Sequence, residues 1–195
     1  AIWANLPRNR KPGLPAGKKI IIYQGAVNVD RGLEEAILAM HYLDDAVLLI
    51  IGGGDVLQKL KDLCNSSSLN GKVFFTGKIP FQQLGNYTKC ADLGIALEKD
   101  TNLSYKYSLS NKIFDYINAG IPILASSLPE VKALFAQFQI GLMIQSHDPA
   151  HIAEKMDYML HSQEDNLVWK SQLKQASESF KWEDEEKKLL ELIIG

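Results

Sequence analysis

The sequence predicts an α/β fold: a doubly wound, parallel, six-stranded sheet with helices on both faces. Two observations carry that expectation. Six short apolar runs alternate with segments of helical periodicity along the chain. The runs are continuously apolar, so each strand is buried on both faces and needs helices on either side. A third observation permits it. The chain has 195 residues, 46% hydrophobic and 23% charged, which is an ordinary globular composition with enough length for one good core.

The elements follow in order. "KKIIIYQG" (18–25) reads as a buried strand ending at Gly25. "DRGLEEAILAMHYL" (30–43) repeats Leu33, Ala36, Ile37, Met40 and Leu43 with a period of 3.6, and Asp30 is the expected N-cap. "AVLLIIGGG" (46–54) is a second strand running into glycines, and "DVLQKLKDLC" (55–64) is a helix starting from Asp55. "KVFFTG" (72–77) is the third strand, followed by a short helix with Pro at its start, "PFQQLGNYTKC" (80–90). "ADLGIAL" (91–97) is the fourth strand, and residues 98–109 read as a polar loop. A helix over about 111–119, strand "IPILAS" (121–126), helix 128–138, strand "GLMIQS" (141–146) and helix 148–161 complete the alternation. Two more helical patterns, about 165–179 and 183–193, follow without a strand between them.

The opening "AIWANLPRNRKPGLPAGKKI" holds three prolines and five basic residues. That is the composition of a linker or extended arm, here residues 1–17. The expectation is a piece of a longer protein beginning at a domain junction.

Composition excludes several functions. A net charge of −2 gives no support for a nucleic-acid or membrane-surface partner. No apolar run approaches the length of about 18 residues that a membrane span needs. Cys64 and Cys90 lack metal-type spacing and read as buried free thiols, which fits a reducing, cytoplasmic compartment. His41, His147, His151 and His161 also lack metal spacing and read as surface or helix-flanking residues. No metal and no cofactor is expected.

In a doubly wound sheet, ligands bind beyond the carboxyl ends of the strands. The loops to inspect are therefore 25–30, 52–55, 77–80, 97–111, 126–129 and 146–148. A dinucleotide fingerprint would need G-x-G-x-x-G after the first strand, where the chain has "GAVNVDRG"; the second strand gives "GGGDVL". Neither matches, and no P-loop occurs. The strongest candidate is "SLSNK" (108–112), set at the mouth of a helix. The first amides of such a helix are unpaired and, with the helix dipole, hold anions. Ser108, Ser110 and Asn111 add short hydrogen-bonding side chains, and Lys112 adds a full charge, so the stretch could hold a diphosphate. An ordinary capped helix start, with Lys112 pairing Asp115 at i,i+3, is the alternative, and on this stretch alone the better one. Arg31 follows the first strand's loop on the same edge and could serve the same anion. Asp115, one turn into the helix, offers two acceptor atoms to a ribose diol.

Five segments in this order resemble the C-terminal, donor-binding, Rossmann-like domain of GT-B glycosyltransferases, most closely of the family 4 type. They are "YQGAVNVDRGLEEAI" (23–37), "LLIIGGG" (48–54), "VFFTGKIPFQQLGNYTKCADLGIAL" (73–97), "SLSNKIFDYINAGIPILAS" (108–126) and "GLMIQSHDPAHIAEKM" (141–156). The resemblance implies binding of a nucleotide-diphosphate sugar and glycosyl transfer, retaining and metal-independent. It puts Arg31 and Lys112 in the charge-stabilising role and Gly25, Asn28 and Gly53 at the donor site. Lys78 and Ile79 fall in the loop that meets the base. Ser108, Leu109, Ser110 and Asn111 fall in the loop whose amides hold the diphosphate. Asp115 stands at the second acid of the family's E-x7-E motif, and Tyr107 at the first. Ala26 stands where the family often has Arg. The resemblance further implies an N-terminal acceptor-binding domain as partner, peripheral membrane contact through that domain, and a final helix, "KWEDEEKKLLELII", packing back towards it. A sugar-nucleotide epimerase of the same fold and a non-catalytic flavodoxin-like binding module are the alternatives.

Overall fold

A computed structural model describes residues 15–180. The expected helix over 183–193 and most of the expected arm lie outside the described residues. The strands are β1 (Lys19–Gln24), β2 (Ala46–Ile51), β3 (Val73–Gly77), β4 (Leu93–Ala96), β5 (Ile123–Ser126) and β6 (Gly141–Ile144). The helices are α1 (Leu33–Ala39), α2 (Leu57–Ser66), α3 (Phe81–Thr88), α4 (Leu103–Lys106), α5 (Asn111–Ala119), α6 (Pro129–Gln137), α7 (Pro149–His161) and α8 (Gln163–Ser179). The strands form one sheet in the order β3-β2-β1-β4-β5-β6, and every pairing is parallel.

The continuous apolar runs do what their pattern requires. Within β1, Ile21 and Tyr23 face one core cluster while Ile20 and Ile22 face another, and β2 divides Leu48 and Ile50 from Val47 and Leu49 in the same way. The first cluster takes in residues of α1, α2 and α7; the second takes in α5, α6 and the later part of α8. Burying one such Ile or Leu contributes roughly 1.5–3 kcal/mol, so the sheet is held from both faces.

Three local expectations need correction. Asp30 is not the N-cap of α1. Gly32 is, at φ 68, and Asp30 itself is left-handed at φ 63. A Cβ on Gly32 would lie 2.3 Å from the Leu97 carbonyl oxygen, so the chain must be bare there for α1 to start against the end of β4. The second helix begins at Leu57 rather than Asp55, whose amide instead donates to Asn28 Oδ1 at 3.3 Å. The polar loop 98–109 contains the single helical turn α4, capped by Asn102 Oδ1 accepting from the Tyr105 amide at 2.9 Å. One turn carries no apolar period, which is why the sequence hides it.

The strand order reverses direction between β1 and β4. At such a switch point the flanking loops diverge and leave a crevice above the carboxyl ends. Tyr116 of α5 stands beneath it, its hydroxyl within reach of the Ile22 and Ile95 carbonyls at 3.2 and 3.1 Å.

Candidate functional site

The crevice is a cavity of about 500 Å3. Its walls are the end of β1 (Gln24, Gly25, Ala26), Arg31, Glu98 just after β4, Tyr105 of α4, the stretch 108–113 with Asp115, and apolar side chains of α3 and the start of α6. The N-terminus of α5 is one wall. Ser110 holds the cap position in extended conformation, and its carbonyl accepts from the Ile113 amide at 2.9 Å. Its hydroxyl does not cap the helix. It accepts from Lys112 Nζ at 2.7 Å, so the positive end of α5 stays open to the cavity.

Lys112 is not a solvated charge at the helix mouth. It is 6% exposed, and its partner is Glu98, also 6% exposed, rather than Asp115. Lys112 Nζ donates to Glu98 Oε1. Arg31 Nη1 donates to the same oxygen at 3.2 Å. The Arg31 guanidinium also lies 4.4 Å from the centre of the Tyr105 ring, and its buried Nε has no partner. Lys112 Nζ stands 5.1 Å from the centre of the Tyr23 ring, a second cation held over an aromatic face.

Burial pushes the Glu98 carboxyl up, but the charge and hydrogen bond of Lys112, with help from its own backbone and Arg31, outweigh burial and hold it below the usual range. Burial pulls the Lys112 ammonium down, and Glu98 offsets only part of that. On the other wall, Thr88 Oγ1 donates to Gln24 Oε1 at 2.7 Å, and Gln24 Nε2 donates to Asp115 Oδ2 at 2.7 Å. This relay fixes the Asp115 carboxylate. Burial raises its pKa, opposed by the Gln24 hydrogen bond and Lys112.

Of the expected site residues, the cavity brings together Gly25, Arg31, Ser108, Leu109, Ser110, Asn111, Lys112 and Asp115. Asn28, Gly53, Lys78, Ile79 and Tyr107 are not in its lining. Asn28 is engaged in the turn after β2. Gly53 lies under the Lys78 stem, where a Cβ would meet Lys78 Cε at 3.2 Å, beyond β1 on the β2–β3 side. Ile79 packs against the core. Tyr107 is 58% exposed, with Lys106 Nζ 6.0 Å from its ring centre.

The sequence reading missed Glu98, Gln24, Thr88 and Tyr105. A signal existed for two of them: Glu98 directly follows an apolar strand, and Gln24 is the polar residue closing "KKIIIYQ". Nothing local marks Thr88 or Tyr105. His147 is also not plain surface. It is half-buried, with Nε2 3.1 Å from the Leu97 carbonyl and 3.2 Å from Ser126 Oγ. Since the carbonyl can only accept, that nitrogen carries the proton. His161 joins Asp45 and Asp157 in an exposed trio that no spacing could reveal, because Asp45 lies 116 residues before His161.

Residues 7–176 match the profile of the family Glycosyl transferases group 1. The chain belongs to this family of glycosyltransferases. An uncharacterized glycosyltransferase of Methanocaldococcus jannaschii is 26% identical over 154 residues, covering 77% of this chain and 38% of that protein. Among solved structures, Anabaena HepE in complex with UDP and glucose superposes with a TM-score of 0.80 at 12% identity, over 92% of this chain and 49% of HepE. The C-terminal domain of a family member from Francisella tularensis superposes at 0.69 with 14% identity, over 86% of this chain and 87% of that domain. These likenesses establish the fold as that of the C-terminal domain of GT-B glycosyltransferases. The chain spans about two fifths of the length of the curated relatives it matches.

Proposed function

We propose that this domain holds the nucleoside diphosphate of a nucleotide-sugar donor, and that the protein carrying it transfers the sugar to an acceptor bound by a second, N-terminal domain. The observation that carries the reading is a single cavity, at the switch point of the sheet, that gathers two cations, the open N-terminus of α5 and an oriented carboxylate. The UDP held by HepE, a protein of the same fold, adds support.

Cleavage of the donor's glycosidic bond leaves a nucleoside diphosphate with growing negative charge. Arg31 and Lys112 supply the charge that stabilises it, and amides of residues 109–111 supply the dipole. Asp115 accepts from the ribose hydroxyls while Gln24 holds one of its oxygens. Those cations take the part a metal plays in other transferases, so the transfer is proposed as metal-independent. Retention of anomeric configuration rests on the family resemblance. The lack of an acid at Tyr107, which is solvent-exposed, leaves handling of the sugar ring to other groups.

The test is calorimetric titration with UDP, GDP and ADP and their sugars, on wild type and on R31A and K112M. The expected result is binding of at least one nucleotide, weakened tenfold or more by R31A, the loss of about one charged hydrogen bond. If no nucleotide binds, or neither substitution weakens any, the site assignment is wrong.

A further inference from the structure

We propose that Glu98 is a built-in counter-anion that holds Arg31 and Lys112 in place while the site is empty and limits how tightly the nucleoside diphosphate is held. This rests on the donor-site reading above.

Four ionisable side chains of formal charge line the cavity: Arg31, Lys112, Glu98 and Asp115. Two are cations and two are carboxylates, so the empty site has no net side-chain charge. Its attraction for a diphosphate comes from local geometry. Glu98 Oε1 sits between both cations, and both donate to that one oxygen. A phosphate docking on the cations must either share them with Glu98 or take a donor away from it. Arg31 is already engaged: its Nη1 donates to Glu98, its Nε is buried without a partner, and its guanidinium lies 4.4 Å from the centre of the Tyr105 ring.

Glu98 is needed for the empty state. Lys112 is nine-tenths buried, and an ammonium in that place without a counter-charge is disfavoured until an anion docks beside it, a part that Glu98 plays in the empty site and the diphosphate can take over. The same carboxylate repels the bound diphosphate. Charges gathered in one cavity interact appreciably at the effective dielectric of a protein site. A donor site must release the diphosphate product after transfer. An internal anion beside the cations supports turnover by keeping product affinity moderate. Glu98 is thus a positioning residue with a cost in affinity, and the charge, not the shape, carries both effects.

The substitution Glu98→Gln keeps shape and acceptor oxygen and removes the charge. The experiment measures affinity for UDP, GDP, ADP and inorganic pyrophosphate by calorimetry at low and high salt, on wild type, E98Q and E98D, with thermal unfolding beside it. E98Q is expected to bind the preferred diphosphate about tenfold more tightly, with the gain shrinking at high salt as screening grows. E98D is expected to bind like wild type. A merely structural Glu98 would give the opposite sign, because a disturbed site binds more weakly. If wild type binds and E98Q is equal or weaker, or if E98D tightens binding as E98Q does, the counter-anion role is overturned and the donor site stands. If wild type and both variants bind no diphosphate, both proposals fall.

Discussion

The two ends of the sheet use the same residue types in opposite ways. At the amino ends of the strands, Lys72 pairs with Asp44 at 2.9 Å and His161 with Asp45 at 2.8 Å; the Asp44 side chain is 99% exposed. At the carboxyl ends, Lys112 and Arg31 converge on Glu98, whose side chain is 8% exposed. The first set are solvated ion pairs whose attraction is spent against water and side-chain entropy. The second is a desolvated cluster in which each charge depends on its neighbours. Proximity of opposite charges therefore marks nothing by itself. Burial of several charges at the switch point is what sets the cavity apart.

The largest test of that contrast compares K112A with K72A. K112A strands the Glu98 carboxylate without its main partner, and urea unfolding should show a loss of about 3–5 kcal/mol. K72A removes an exposed pair, and its unfolding midpoint should stay close to wild type. Equal losses in the two variants would erase the distinction. R31A comes next. Arg31 is partly exposed and shares an oxygen that Lys112 still occupies, so its unfolding free energy should fall by less than that of K112A. Y116F probes a buried neutral group below the cluster. Losing the hydroxyl that reaches the Ile22 and Ile95 carbonyls should cost about 1 kcal/mol in urea unfolding and leave nucleotide affinity unchanged. A fall in affinity would mean that the strand ends at the switch point need this tie to shape the cavity.

The smallest effect separates the two ends by pH. Glu98 is held below its ordinary 4.5, so its stabilisation is complete above that value and is lost as pH falls through the lower folded value. His161 is raised above 6.5, first by the Asp157 carbonyl and then by Asp45, so its stabilisation is complete below 6.5 and is lost as pH rises through the folded value. Urea midpoints should therefore fall on the acid side through the ligand edge and decline slightly on the alkaline side through His161. H161Q should flatten only the alkaline decline, by under about 1 kcal/mol because the pair is exposed. An H161Q variant with the full alkaline slope would remove His161 as its source.

The fold was legible in the sequence because strands buried on both faces cannot hide. "KKIIIY" and "AVLLII" admit no solvent face, and their alternation with helical segments leaves few topologies. "SLSNK" at the mouth of α5 was legible as a helix start whose open amides could take an anion, with an ordinary capped start the better reading of that stretch alone. What the stretch did not disclose was its wiring. Lys112 had a plausible partner one turn away in Asp115, and the i,i+3 rule favoured it. The true partner, Glu98, is 14 residues earlier, after the neighbouring strand. Likewise, Asp115 is oriented by Gln24, 91 residues earlier, and Gln24 by Thr88, 64 residues later.

By itself the sequence determined the strands, the helices longer than one turn and the charged residues of α5 and the β1–α1 loop. Those follow from periodicity and local chemistry, which the chain carries within a few residues. Only the tertiary structure decided which charges are buried, which share an oxygen and which are left to solvent. The reason is that burial and ion pairing depend on the distance between strands adjacent in the sheet and remote in the chain. β1 and β4, the two strands that frame the cavity, are brought together by a reversal of strand order that no local pattern records.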